Sequence, residues 1–198
     1  GLSTMLPPVI DPITGKPRER ATSGVGAVLQ SEFESAGRER TDLDPVERAI
    51  LEVGAGVGAM DRSVSSGGLV VRMTQDEYVR VASRAGLVGR SRAAAVVLSP
   101  RYAAMNIARK QEAIEAAYAD GRTQARTEFA YALLGTVRAP EDAKKALVVA
   151  RAALARPVYE NALRDLYRRG MLDEGTIRLL DEHPTGRDEP TVQQVVGR

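Results

Sequence analysis

The sequence has 198 residues and a formal net charge of +2, and 43% of its residues are hydrophobic. It has no cysteine, which excludes disulfides and thiolate metal sites. It has one histidine, His183, which nearly excludes metal centres built from several histidines and nucleophiles paired with histidine. No apolar run approaches the roughly 18 residues of a membrane span, so we expect a soluble protein that crosses no membrane and carries no cofactor or metal. Tryptophan is absent and only 4% of the residues are aromatic, which favours a helical core over a β-sandwich.

Residues 1–43 predict an extended arm, because prolines and glycines interrupt them and no long periodic stretch survives apart from two possible helical turns at 25–33. Apolar side chains near the start of this arm have little reason to stay in water, so we expect them to bind neighbouring protein subunits. These residues are Pro7, Pro8, Val9, Ile10 and Ile13.

Residues 44–99 predict a small helical module. Asp44 is placed to cap a helix that ends at Gly54. A short β-strand is expected near 69–73, and Thr74 with Glu77 forms a capping box that opens the next helix. Gly86 is expected to end that helix, and a second short helix is expected over 91–98.

The same module carries the most basic part of the chain, since residues 61–110 hold 9 basic and 3 acidic groups. The order of strand, capped helix, glycine turn and second helix over 68–99 resembles the ribbon-helix-helix family of DNA-binding proteins. That resemblance implies that Arg72 points into the major groove and that the turn around Arg90, Ser91 and Arg92 lies against phosphate. A helix-turn-helix over 82–97 and a helical hairpin with a solvated basic face are the alternatives.

Residues 100–183 predict a helical bundle, as helical hairpins or an irregular α-bundle. A long helix is expected from Pro100 to about residue 119, a break at Gly121, and helices at 123–134 and after Pro140, Pro157 and Asp173. The residues expected to pack the last three helices together are Leu147, Leu154, Leu163, Leu166, Tyr167, Ile177 and Leu180. The polar tail, 184–198, is expected to be frayed.

No catalytic motif is present, and the adjacent carboxylates Asp173/Glu174 and Asp181/Glu182 point apart on a helix. The sequence therefore predicts a mainly α, non-enzymatic structural or adaptor subunit of a large multi-protein assembly, held to other subunits by its N-terminal arm. The alternative is a DNA-binding protein that uses residues 68–99.

Overall fold

The computed structural model of the chain describes residues 9–17 and 43–197. Over these residues the protein is mainly helical, with eight helices and one two-stranded antiparallel sheet. The helices are α1 Pro45–Val53, α2 Gln75–Val97, α3 Pro100–Ala103, α4 Ile107–Thr136, α5 Pro140–Ala153, α6 Arg156–Arg168, α7 Glu174–Glu182 and α8 Val192–Val196. The strands are β1 Ser63–Ser66 and β2 Leu69–Arg72. The predicted mainly α fold class and the short strand near residue 70 are confirmed.

The chain forms two compact units, and each is built from separate stretches of sequence. Among the described residues, the first unit comprises 9–17, 43–60 and 79–122, and the second comprises 61–78 and 123–197. Helices α2 and α4 therefore contribute residues to both units. This division differs from the one expected from the sequence, in which each segment was one continuous stretch of chain. Those segments were 1–43, 44–99, 100–183 and 184–198.

The core of the first unit is made by α1, α2, α3 and α4. Its buried residues are Val46, Ala49, Ile50, Ala55, Ala93, Tyr102, Ile114, Ala117 and Tyr118. The segment 9–17 folds back on itself through an antiparallel bridge between Ile10 and Pro17. It is held to α4 by the Tyr118 hydroxyl, which donates a hydrogen bond to the carbonyl of Ile13 at 3.0 Å. This part of the expected arm is therefore packed in the first unit.

Two of the glycines that were expected to stop helices lie inside helices instead. The predictions of a helix end at Gly86 and a helix break at Gly121 are wrong, because α2 and α4 continue through them. A Cβ atom on Gly121 would lie 2.6 Å from the backbone nitrogen of Gly89 and 2.7 Å from the carbonyl oxygen of Ala85. A Cβ atom on Gly86 would lie 2.5 Å from the backbone of Gly15. These glycines are present because another part of the backbone passes against them.

The prediction of one continuous helix from Pro100 to residue 119 is also wrong, because α3 and the start of α4 occupy this stretch. The Ser99 hydroxyl caps α3 by accepting from the backbone N–H of Tyr102 at 3.3 Å, but α3 has only four residues. The chain then turns, and the side chain of Asn106 accepts from the N–H of Arg109 at 2.9 Å at the start of α4. A second cap therefore opens a 30-residue helix where one continuous helix was expected.

The second unit packs the β1–β2 hairpin against α5 and joins α5, α6, α7 and α8. Leu147, Leu163 and Leu166 are fully buried, as predicted, whereas Tyr167 is 42% exposed and does not belong to the core. The prediction of a frayed tail is wrong, because residues 192–196 form α8 and bury Val192 and Val195. Two valines three positions apart are enough to seat one face of a short helix on α6 and α7.

Candidate functional site

The residues that were expected to read DNA do not form the expected module. Helix α2 runs without a turn from 75 to 97, and β2 pairs antiparallel with β1 of the same chain, with Arg72 opposite Ser63. The strand, helix, turn and helix of the ribbon-helix-helix resemblance, and the alternative helix-turn-helix, are therefore not formed. Arg72 is exposed in the second unit, whereas Arg90, Ser91 and Arg92 lie on α2 in the first.

Arg90 is engaged with acidic residues of α1. Its Nη2 atom lies 2.5 Å from an Asp44 carboxylate oxygen, and its Nη1 atom lies 3.6 Å from a Glu47 carboxylate oxygen. Burial raises the pKa of Asp44, but hydrogen bonds from the N–H groups of Val46 and Glu47 and the charge of Arg90 outweigh it, so this pKa is lowered. The Arg90 charge is thus used to anchor the start of α1 to α2.

Arg92 is engaged as well, since its Nη1 atom lies 3.1 Å from a carboxylate oxygen of Asp120. Ser91, between the two arginines, is exposed on α2. Ion pairs with acidic groups reduce the positive charge that Arg90 and Arg92 present to a phosphate backbone. The geometry gives these residues a role within the first unit.

The predicted partner-binding residues of the arm have different environments. Pro7 and Pro8 lie outside the described residues. Val9 is 56% exposed, but Ile10 is only 3% exposed and Ile13 is half-buried against the core of the first unit. Ile10 is therefore occupied by contacts within its own chain.

One exposed surface was not predicted from the sequence. On α2 the residues Leu87, Ser91, Ala95 and Leu98 are exposed, and we call this set the α2 stripe. Leu98 follows the last residue of α2, but its N–H still donates to the carbonyl of Ala94 at 3.0 Å, so it keeps helical geometry. Leu87 and Leu98 are 11 residues apart, which is within about 20° of three full helical turns. They share one face and are 51% and 70% exposed. The sequence signal was the absence of charge at these four positions.

The second unit contains a cavity of about 350 Å³ between the end of α5, helices α6, α7 and α8 and the loop 184–191. We call it the α6–α8 cavity. Part of its wall is apolar, from Leu163, Leu180, Val192 and Val195, each at most 3% exposed. No sequence pattern indicated this cavity, because its walls come from four helices and a loop that fold together.

Arg151 lies at this cavity, and its side chain is 3% exposed. Its Nε and Nη2 atoms donate to the hydroxyl and the carbonyl of Ser66 at 3.0 and 3.1 Å, and Nη1 donates to the carbonyl of Leu180 at 3.3 Å. Nη1 also lies 3.6 Å from the carboxylate of Glu189. The guanidinium thus joins the hairpin, α7 and the loop, and its donors are directed at protein acceptors.

Tyr159 of α6 also lines the cavity and is 7% exposed. Loss of hydration raises the pKa of its hydroxyl to about 12. The charge of Arg151 lowers this pKa, but the charges of Glu189 and Asp181 raise it. Within 9–17 and 43–197, no hydrogen-bond partner of this hydroxyl is found, in contrast to Tyr118, whose hydroxyl donates to Ile13. Tyr159 is therefore a largely buried residue at the cavity, with a neutral hydroxyl that has no protein partner among the described residues.

The carboxylate pairs noted in the sequence have roles in folding. Asp173 caps α7 by accepting from the N–H of Thr176 at 2.6 Å, and this hydrogen bond holds the pKa of Asp173 below its usual value. Asp181 accepts from the N–H of Val192 at 2.7 Å and so fixes the start of α8. Among the described residues, no three acidic or histidine side chains come together as a metal site, and no helix has the length and apolarity to cross a membrane.

Comparison of the chain with protein-family models, with curated proteins and with solved structures finds no match. The proposals below rest on the geometry of the chain itself.

Proposed function

We propose that the protein is a non-enzymatic structural or adaptor subunit of a multi-protein assembly, and that the α2 stripe and the N-terminal arm contact its neighbours. The observation that carries this proposal is the exposure of Leu87 and Leu98 on one face of α2, at 51% and 70%. Exposed leucines aligned on one face of a helix are typical of surfaces that bind another helix.

The spacing of the α2 stripe fits an amphipathic helix of another subunit. Ser91 and Ala95 are small, so a partner helix can come close between the two leucines and interdigitate with them. Complete burial of a leucine side chain contributes about 1.5–3 kcal/mol. Arg80, one of the exposed residues that precede the stripe on α2, favours an acidic residue at the matching end of the partner.

The arm adds a second contact in this proposal. Val9 is exposed and directly precedes the packed segment that contains Ile10 and Ile13. That segment holds Val9 at the surface of the first unit. Neighbouring subunits are therefore expected to contact Val9 and the residues before it.

DNA binding through residues 68–99 is less well supported than subunit binding. Its expected module is replaced by a single helix, and Arg90 and Arg92 are paired with acidic residues. Binding of duplex DNA that weakens steeply with salt would nevertheless favour it, because phosphate contacts release counterions. Absence of such binding in a gel-shift titration is the expected result.

The test of the α2 stripe is gradient sedimentation of the tagged chain expressed in its own source cells. The wild-type chain is expected to sediment with a large particle, and the double variant Leu87→Glu/Leu98→Glu at the position of the free chain. Val70→Glu is the matched control, since Val70 is 64% exposed and lies in the second unit. Sedimentation of the wild type as a free chain, or of the double variant with the particle, contradicts the proposal.

The arm is tested separately in the same gradients. Removal of residues 1–40 is unsuitable, because it also removes Ile10, which is buried, and Ile13, which accepts from Tyr118. Removal of residues 1–8 together with Val9→Ser leaves these contacts intact and is expected to weaken association with the particle. An unchanged profile would show that the arm does not hold the chain to its neighbours.

A further inference from the structure

We propose that the α6–α8 cavity is a binding site for a small, uncharged organic molecule with an apolar body and one hydrogen-bond acceptor, and that the Tyr159 hydroxyl donates to this acceptor. This inference does not depend on the α2 stripe or on the arm. It assigns a second, separate property to the chain, namely the binding of a small ligand by the second unit.

The size and lining of the cavity fit such a ligand. Its volume of about 350 Å³ lies within the roughly 300–1,000 Å³ of small-molecule sites. The buried side chains of Leu163, Leu180, Val192 and Val195 supply the apolar part of the wall. A flat or aliphatic body placed there removes apolar surface from water on both sides, which is the main source of affinity in sites of this kind.

Tyr159 supplies the specific contact. A hydroxyl that donates to no protein group at a cavity remains free to donate to water or to a ligand. The hydroxyl of Tyr159 has no protein partner among the described residues, and it is not one of the buried side-chain atoms that lack a partner, so it is reachable from the cavity although the residue as a whole is only 7% exposed. Its pKa of about 12 keeps it protonated at neutral pH, so it can act as a donor.

The charges at the cavity favour an uncharged ligand. The lining includes three arginines and four acidic residues, which nearly cancel. They are Arg151, Arg156, Arg187, Glu160, Asp181, Asp188 and Glu189.

Most of these groups are also occupied by one another or by the backbone. Arg156 contacts the carboxylate of Glu160 at 3.1 Å and donates to the carbonyl of Asp188 at 3.0 Å. Glu189 accepts from both the N–H and the hydroxyl of Thr185. An ionic ligand that used the paired groups would have to break their contacts, whereas a neutral acceptor needs only the hydroxyl of Tyr159.

Benzamide is a suitable probe, because it is uncharged and combines a flat apolar ring with a carbonyl acceptor. We expect its addition to the full chain to shift, in a saturable way, the backbone amide NMR signals of Leu163, Leu180 and Val192, which line the cavity. This measurement on the wild type needs no variant. Absence of saturable shifts at cavity residues, or shifts confined to the first unit, overturns the proposal.

The variant Tyr159→Phe keeps the ring and removes the donor. Loss of one hydrogen bond of about 0.5–1.5 kcal/mol corresponds to roughly 2- to 12-fold weaker binding of benzamide. Ethylbenzene has no acceptor, so its affinity is expected to be the same for the wild type and the variant. Tyr131→Phe, at a 53% exposed tyrosine of the same unit, is the control and should change neither affinity.

The thermal stability of Tyr159→Phe separates a binding role from a structural one. Because the hydroxyl has no described protein partner, its removal should leave the melting temperature unchanged. Equal benzamide affinity for the wild type and Tyr159→Phe, or a destabilised variant, would show that the hydroxyl serves the fold and not a ligand. Failure of this test would leave the proposed subunit role unaffected, since that role is measured by sedimentation.

Discussion

Replacement of Gly121 by alanine tests the close backbone contact between α2 and α4 in the first unit. A Cβ atom there would lie 2.6 Å from the nitrogen of Gly89, 2.7 Å from the carbonyl oxygen of Ala85 and 2.8 Å from the Cα atom of Gly89. Ordinary contacts of a Cβ atom begin near 3.4 Å, so α2 and α4 must separate by about 0.6–0.8 Å to admit it, because all three neighbours are backbone atoms. Such overpacking costs about 1–3 kcal/mol, against a gain of up to about 1 kcal/mol from the better helix propensity of alanine.

Gly121→Ala is therefore expected to lower the free energy of unfolding by up to about 2 kcal/mol, or the melting temperature by up to roughly 8 °C. Gly135→Ala is the matched control on the same helix, since nothing lies within 4 Å of the added Cβ. It should leave stability unchanged or raise it by up to about 1 kcal/mol. Urea unfolding followed by circular dichroism measures both. If the two variants gain stability equally, the helices do not cross at Gly121 as described.

Leu163→Ala should lower the free energy of unfolding by about 2–5 kcal/mol, because Leu163 is 1% exposed. Arg168 is exposed on the same helix, so the control Arg168→Ala should change this free energy by less than about 0.5 kcal/mol. If urea unfolding shows the same loss of stability for Leu163→Ala and Arg168→Ala, the buried face of α6 is not the one that contains Leu163. Arg164→Ala is also expected to be destabilising, since Arg164 donates to a carbonyl of α8 at 2.9 Å; a melting temperature equal to that of the wild type would contradict this. Burial raises the pKa of Glu77, but hydrogen bonds from Lys145 and the capping-box N–H outweigh it and hold the pKa below its ordinary value of 4.5. A carboxyl whose pKa is lower in the folded state stabilises the chain above its unfolded pKa, and this stabilisation is lost as the pH falls through the folded pKa. Below about pH 4.5, the free energy of unfolding should therefore fall more steeply with decreasing pH for the wild type than for Glu77→Gln. Parallel curves would show that the pair with Lys145 contributes nothing.

The sequence alone determined the features that depend on neighbours close in the chain. Asp44, Thr74 with Glu77, and Asp173 were expected to begin helices, and each does so through hydrogen bonds to N–H groups two or three residues away. The short strand before Thr74 was predicted from its β-prone residues and the two glycines before it. These predictions hold because a cap or a tight turn is complete within a few residues, whatever packs around it.

The tertiary structure decided the role of residues whose type is compatible with two different local structures. Glycine ends a helix when the chain turns there, as at Gly54, but it lies inside a helix when another backbone passes against it, as at Gly86 and Gly121. The residues of 68–99 could not distinguish the two cases, because Gly15, which approaches Gly86, is distant in sequence. The DNA-binding module was inferred from that ambiguity.

The same reason applies to the surfaces for which we propose functions. Tyr167 and Tyr159 lie on one short helix and are similar in sequence context, yet one is exposed and the other is buried at a cavity. Val192 and Val195 look like part of a polar tail until α6 and α7 provide a surface on which they are buried. Burial depends on segments that are remote in the chain, so the α2 stripe and the α6–α8 cavity became visible only when those segments were folded together.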